Sequence, residues 1–191
     1  MITVIIPSKG RSTLNRALHS LLNQTNSKWL CYVIFDGVEI ENTIFDDRII
    51  YYSSPKLGNS LNGAGLVRNK GIDLSESKWL CFLDDDDTFS QYYIHDLYNE
   101  INKNNEIDVC IFKMTYSPDC DKIIPPFDCN QLEIGQVGIS FAVKKEFIDK
   151  YNIRFNNSSV EDYQFLVKCR DHGAKILFSD KVNYFVNHGF I

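Results

Sequence analysis

Apolar positions fall along this chain in two rhythms. Thr3-Val4-Ile5-Ile6-Pro7 is a short continuous run, which predicts a first buried strand stopped by proline. Leu14, Ala17, Leu18, Leu21 and Leu22 then recur at helical spacing, predicting a helix to about Gln24 with Ser12 as its N-cap. Trp29 to Phe35 reads as a second strand, closed by Asp36-Gly37, and Ile49 to Tyr52 as a third. Ser53 to Gly65 is rich in Ser, Asn, Gly and Pro and reads as a loop. Leu66, Ile72 and Leu74 predict a helix before a central strand over Lys78 to Leu83.

The second half is less regular. Thr88 to Lys103 reads as a helix, Val109 to Met114 as a strand and Ser117 to Asn130 as irregular. Ile139 to Val143 predicts a strand with a short helix through Ile148. Glu161 to His172 predicts a helix, and Ile176 to Phe178 and Val182 to Val186 two closing strands. The strand–helix–strand order of the first half predicts an α/β fold with a mostly parallel sheet.

One stretch changes this from an outline into a chemical expectation. The apolar run ending at Leu83 leads straight into Asp84, Asp85, Asp86 and Asp87. In open α/β sheets, ligands bind just outside the carboxyl ends of the strands. Four adjacent carboxylates repel one another unless a cation neutralises them, and hard divalent ions prefer such oxygen donors. Lys28-Trp29-Leu30-Cys31 recurs as Lys78-Trp79-Leu80-Cys81, and each copy opens a strand that ends in Asp. The echo predicts two parallel strands of one sheet, delivering Asp36 and the acidic run to the same edge.

Composition narrows the class. A chain of 191 residues, 44% hydrophobic and 24% charged, suits one globular domain. A net charge of −5 gives no basic surface, which argues against a nucleic-acid partner. No apolar run approaches the ~20 residues that span a bilayer, so no transmembrane segment is expected. The six cysteines form no CxxC pair, and reduced thiols in a cytoplasmic protein are the expectation.

Further candidates are weaker one by one. Asp36 is as readily a turn former as a partner for a base or ribose. Gly63-Ala64-Gly65 before Arg68 fits a diphosphate cradle or a plain flexible loop. Glu161-Asp162 at a helix start favours the helix dipole, or supplies a general base. His188 is a solvated terminal residue or a metal ligand.

Together these pieces resemble family 2 glycosyltransferases of the GT-A fold. Thr3 to Arg11 looks like the family's opening strand and turn. Leu14, Ala17, Leu18, Ser20, Leu21, Leu22, Gln24 and Thr25 resemble its "SLL-x-QT" helix. Phe35-Asp36-Gly37, Val67-Arg68-Asn69-Lys70-Gly71-Ile72 and Phe82 to Asp87 are similar to its base-contacting Asp, its "ARN-x-G" element and its "FLD-x-DD" stretch. Val160-Glu161-Asp162 is similar to its ED motif, and Tyr184 to His188 to its closing strand. Ser8-Lys9-Gly10 departs from the family's Thr-Tyr-Asn, and no Gln-x-x-Arg-Trp follows the ED pair, which argues against a processive synthase.

The resemblance implies a Rossmann-like nucleotide-binding sheet flanked by helices, with a smaller acceptor-side C-terminal portion. It implies one catalytic domain over 1–191, with about 1–115 as the nucleotide-sugar half and about 116–191 as the acceptor half. It implies inverting transfer from a nucleoside-diphosphate sugar, a UDP-sugar first, to a glycan, lipid-linked or protein hydroxyl. Pro7, Ser8, Arg11, Asp36, Arg68, Asp84 and Asp85 would bind nucleotide. Asp84, Asp86 and His188 would hold Mn²⁺ or Mg²⁺. Asp162 would be the base, with Glu161 on the acceptor side. Two rivals stay open: a haloacid-dehalogenase-type phosphatase with Asp84 as nucleophile, through Asp84-x-Asp86-x-Thr88, and a catalytically silent sugar-nucleotide or metal-binding module.

Overall fold

The structure, a computed structural model, describes residues 1–41, 43–57, 63–116 and 122–187. His188 therefore lies outside the described residues, as do parts of the segments read as loops after Ser53 and Ser117. Strand β1 (Ile2–Ser8) is followed by α1 (Leu14–Leu22), β2 (Trp29–Asp36), β3 (Ile49–Ser54), α2 (Ala64–Leu74) and β4 (Trp79–Phe82). Then come β5 (Thr88–Phe89), α3 (Tyr93–Lys103), β6 (Val109–Tyr116), β7 (Ile123–Ile124), β8 (Phe141–Lys144), α4 (Lys145–Lys150), α5 (Glu161–Asp171) and β9 (Ile176–Val186).

The strands join one sheet in the order β3-β2-β1-β4-β8-β6-β9-β5, with β7 beside β6. The first four run parallel, as the alternation of strands and helices predicts. The sequence echo is in register: Trp29 and Trp79 both pair with Ile2, from opposite sides of β1. Asp36 and Asp84 therefore leave the sheet at the same edge. Every residue of β1 is buried, so both faces of the sheet are covered there. Helix α2 lies so close to β1 that a Cβ on Gly71 would collide with the Ile5 side chain.

Several expectations are corrected. Pro7 does not stop β1, which runs on to Ser8. The Ile5 carbonyl accepts from Leu83 N at 3.1 Å. Two residues on, Pro7 faces that same side, where pairing with β4 has ended at Ile5–Phe82, so its missing N–H costs no ladder bond. The N-cap position of α1 is Thr13 rather than Ser12. Thr88 and Phe89 form a strand antiparallel to β9 rather than the start of a helix. The two closing strands are one, β9, which stays paired with β6 through register shifts around Lys113. The polar Ser179-Asp180-Lys181 that broke the apolar pattern lies within it.

Beneath the carboxyl edge, Phe82 packs against Phe141 and Phe155 with ring centroids 5.4 and 5.1 Å away, and Phe155 stacks on Phe165 at 4.3 Å. These rings come from β4, β8, the segment before α5, and α5. They join the two halves of the chain under the place where the acidic run emerges. Cys31, Cys81, Cys110, Cys129 and Cys169 are free thiols, all but Cys129 buried.

Candidate active site

The four carboxylates after β4 divide by alternation. The side chains of Asp84 and Asp86 are 32% and 35% exposed, while Asp85 and Asp87 are buried. The turn is closed by Asp87 N donating to Asp84 O at 3.1 Å.

Asp85 organises the turn after β1. It accepts from Ser8 Oγ at 2.9 Å, Lys9 N at 3.1 Å and Arg11 Nη1 at 3.3 Å. Burial raises its pKa against the opposing pull of these donors. Asp87 accepts from Tyr184 Oη at 2.8 Å and Asn187 N at 2.9 Å, tying the end of β9 to the run. Burial first, and Asp84 next, push its pKa up to about 7. These two are scaffold carboxylates. Asp84 and Asp86 face the cleft.

That cleft, of about 340 Å³, is lined by Pro7, Ser8, Arg11, Asp36, Arg68, Asp84, Asp85, Asp86, Glu161 and Asp162. It thus brings together every candidate residue named from the sequence among those described. Asp36 reaches it from the end of β2 while accepting from Leu57 N at 2.6 Å, so it is a turn former as well as a cleft wall. Sequence reasoning missed Ser158 and Ser159, which also line the cleft. Their only signal is their place just before Glu161-Asp162.

Arg68 is the centre of the site. It is 2% exposed and sits on α2. Nη2 donates to Asp84 Oδ1 at 2.5 Å, and Nη1 to Glu161 Oε1 at 2.5 Å and Asp162 Oδ1 at 3.5 Å. Burial works against its charge, but Asp84, Asp162 and Glu161 outweigh it and hold the guanidinium firmly protonated. Its Nε finds no partner among the described residues. Glu161 also accepts from Gly65 N at 3.2 Å, and a Cβ on Gly65 would meet Glu161 Oε2 at 2.5 Å, so glycine is required for this approach. Burial raises the pKa of Glu161. Burial also raises that of Asp162, to about 7, with Asp84 and Glu161 adding to the rise and Arg68 opposing it.

A second cleft of about 290 Å³ adjoins the first and shares Asp84 and Asp162 with it. Its remaining wall comes mainly from β6, β7, β9 and the segment before β8.

Among the described residues, no three His, Cys, Asp or Glu side chains form a metal cage. Asp84 and Asp86 are nevertheless two hard oxygen donors on one cleft wall. Mg²⁺ is usually held by one or two carboxylates plus substrate phosphates. The donor set fits a cation that arrives with a diphosphate. Each carboxylate is meanwhile held by an arginine, Asp84 by Arg68 and Asp86 by Arg11.

Residues 3–161 match the family model described as Glycosyl transferase family 2. The chain belongs to that family. It is 25% identical over 185 residues to an uncharacterized glycosyltransferase of Haemophilus influenzae, covering 88% of this chain and 61% of that one. It is 28% identical over 196 residues to the poly(ribitol-phosphate) beta-N-acetylglucosaminyltransferase TarP of Staphylococcus aureus, covering 91% and 60%. The chain thus spans about three-fifths of the length of these two relatives. The crystal structure of S. aureus TarS 1–349 superposes with a TM-score of 0.79 at 20% identity, covering 97% of this chain and 60% of that one. The same TarS fragment in complex with UDP-GlcNAc gives 0.79 at 19% identity, covering 98% and 58%. The fold is therefore the GT-A type expected, a mostly parallel sheet with flanking helices. The family match leaves the phosphatase reading, with Asp84 as nucleophile, without support. No helix of the described residues is long and apolar enough to cross a membrane.

Proposed function

We propose that this chain transfers a sugar, with inversion, from a nucleoside-diphosphate sugar to an acceptor hydroxyl. One observation carries the reading: a single cleft gathers Asp36, Arg68, Asp84 and Asp86 from the first half opposite Asp162 from the second. The TarS complex with UDP-GlcNAc makes a UDP-sugar the first donor to test.

Asp36 accepts hydrogen bonds from the base or ribose. Pro7, Ser8 and Arg11 form the adjoining wall, with Asp85 holding the turn that presents them. Asp84 and Asp86 would hold a divalent cation, as family 2 enzymes commonly use one. When bound, that ion supplies positive charge to the departing diphosphate. Arg68 holds Asp84 and the ED pair in one frame and places a fixed cation beside the leaving group. Asp162 takes the proton of the acceptor hydroxyl as its oxygen attacks the anomeric carbon. The bond from that carbon to the diphosphate oxygen breaks, and its electron pair leaves with the nucleotide. A base titrating near neutrality suits this task, since general bases work best with a pKa close to the working pH.

The test is UDP release from UDP-GlcNAc and other UDP-sugars, with NMR of the product. An inverted anomeric centre is expected. A retained configuration would rule out direct displacement, and nucleotide-sugar binding with no transfer to any acceptor would favour the silent module.

A further inference from the structure

The two arginines that hold the acidic run do so on different terms. Arg68 is fixed: its side chain is 3% exposed, and its guanidinium is shared among Asp84, Glu161 and Asp162. Arg11 is not. Its side chain is 47% exposed, and Nη1 meets the Asp86 carboxylate while lying 3.3 Å from Asp85 Oδ1. The backbone beneath it is anchored. Ser8 Oγ and Lys9 N donate to Asp85, Gly10 N donates to Ser8 Oγ at 3.1 Å, and Gly10 turns the chain at a φ of +74°. The side chain is thus the part free to move, and exposed side chains change rotamer within nanoseconds. Asp86 is steadied separately, by Arg16 Nη2 donating to its carbonyl at 2.6 Å. Its main chain keeps that support when Arg11 lets go of the carboxylate.

A divalent cation on Asp86 and the Arg11 guanidinium compete for one carboxylate. They also repel each other, and the doubled charge of the ion makes that repulsion stronger than between two side chains. A diphosphate reverses the balance. It brings anionic oxygens into the cleft that Arg11 also lines, and the planar fork of an arginine matches phosphate oxygens.

We propose that Arg11 is a displaceable counter-ion for Asp86, which holds the carboxylate until a cation arrives with a nucleoside diphosphate and then passes to the phosphate oxygens. The inference rests on the reading that Asp84 and Asp86 hold a divalent cation. No covalent bond changes; the arginine exchanges one anion for another. Cation and nucleotide then bind cooperatively, each more weakly alone than with the other. Arg11 acts with opposite sign in the two cases: it opposes the cation alone and supports the cation–nucleotide pair.

The test is Mn²⁺ binding to the metal-free chain, read as free Mn²⁺ by electron paramagnetic resonance, with UDP binding at fixed saturating Mn²⁺ read by calorimetry. Arg11→Gln should tighten Mn²⁺ binding without nucleotide by at least about fivefold, the scale of one exposed ion pair, and weaken UDP binding with Mn²⁺ by a similar factor. Asp86→Asn added to Arg11→Gln should abolish the gain. Lys9→Gln removes a positive charge from the same cleft wall and should give a clearly smaller gain. Unchanged or weaker Mn²⁺ binding in Arg11→Gln overturns the inference, as does UDP binding that does not weaken. A gain that survives Asp86→Asn, or is matched by Lys9→Gln, overturns it too, by making the effect one of overall charge. These results leave the metal reading standing if the native chain binds Mn²⁺ with UDP. No Mn²⁺ binding to the native chain or to Arg11→Gln, with or without UDP, removes the metal reading and the inference together.

Discussion

The two halves of this chain meet one cleft and are built by different rules. In the first, β1 to β4 lie parallel, and Trp29 and Trp79 flank Ile2 in matching register. In the second, β8 runs antiparallel to β4 and β6, β9 runs parallel to β6, and the register shifts around Lys113. The first half follows from local pattern, because a buried parallel strand needs a continuous apolar run and a right-handed helical crossover. The second depends on long-range pairings whose partners are set only when the chain folds. The difference teaches where chemistry sits. The regular half supplies Asp36, Arg68, Asp84 and Asp86 to the cleft, and the irregular half supplies Glu161 and Asp162. Arg68 is the joint, paired with Asp84 on one side and Glu161 and Asp162 on the other.

The comparison breaks most visibly at Asp162. Asp162→Asn should lower turnover by about 10²–10⁴, the usual contribution of a positioned base, with UDP-sugar affinity nearly intact. Steady-state kinetics with a separate binding measurement checks this, and near-normal turnover would move the base elsewhere. Removing the joint comes next. Arg68→Met leaves three carboxylates without their buried cation and should cost about 3–5 kcal/mol of stability, read by denaturant unfolding. If stability is unchanged, the halves are held together without Arg68, by the β4–β8 pairing, the Asp87 bonds to β9 and the aromatic cluster.

The alternation within the acidic run predicts a smaller, opposed pair of effects. Asp86→Asn should weaken metal-dependent UDP binding by roughly tenfold, one charge-assisted interaction, with little loss of stability. Asp85→Asn should instead lower the melting temperature, because it replaces one of the two oxygens that accept from Ser8, Lys9 and Arg11 with an NH2 donor, and should affect binding less. Equal UDP affinity with EDTA and with Mn²⁺ would remove the metal from the account.

The mildest expectation concerns pH. Asp162 and Asp87 both titrate near 7 in the folded chain, above the ordinary carboxylate range. The native state therefore holds protons that the unfolded state has already released. Their contribution to stability is fully present below about pH 4 and is lost as pH rises through 7. Melting temperature of the ligand-free protein should fall across that window, and less so in Asp87→Asn. A stability that rises between pH 4 and 7 in the native chain and in Asp87→Asn alike would contradict it.

Much of the site was legible because its residues end strands or begin helices, where sequence punctuation is strong. Asp36, Arg68, Asp84, Asp86 and Asp162 all stand at or near such boundaries. The roles within the motifs were less legible. Asp85 and Asp87 look like their neighbours in sequence, yet burial makes them scaffold. Gln24 belongs to the motif helix but serves the frame, donating to Ser20 O and Ser90 O at 2.9 and 2.7 Å and accepting from Ile94 N at 3.0 Å. Ser158 and Ser159 carried no pattern, since their place depends on α5 docking against Gly65. The β5 pairing was hidden because two residues are too short for any periodicity.

A crystal structure of the chain with UDP and Mg²⁺ tests the central claim most directly. In that structure uracil or ribose is expected beside Asp36, the diphosphate and Mg²⁺ against Asp84 and Asp86, and the open end of the nucleotide facing Asp162. A nucleotide bound away from all of these residues would contradict it.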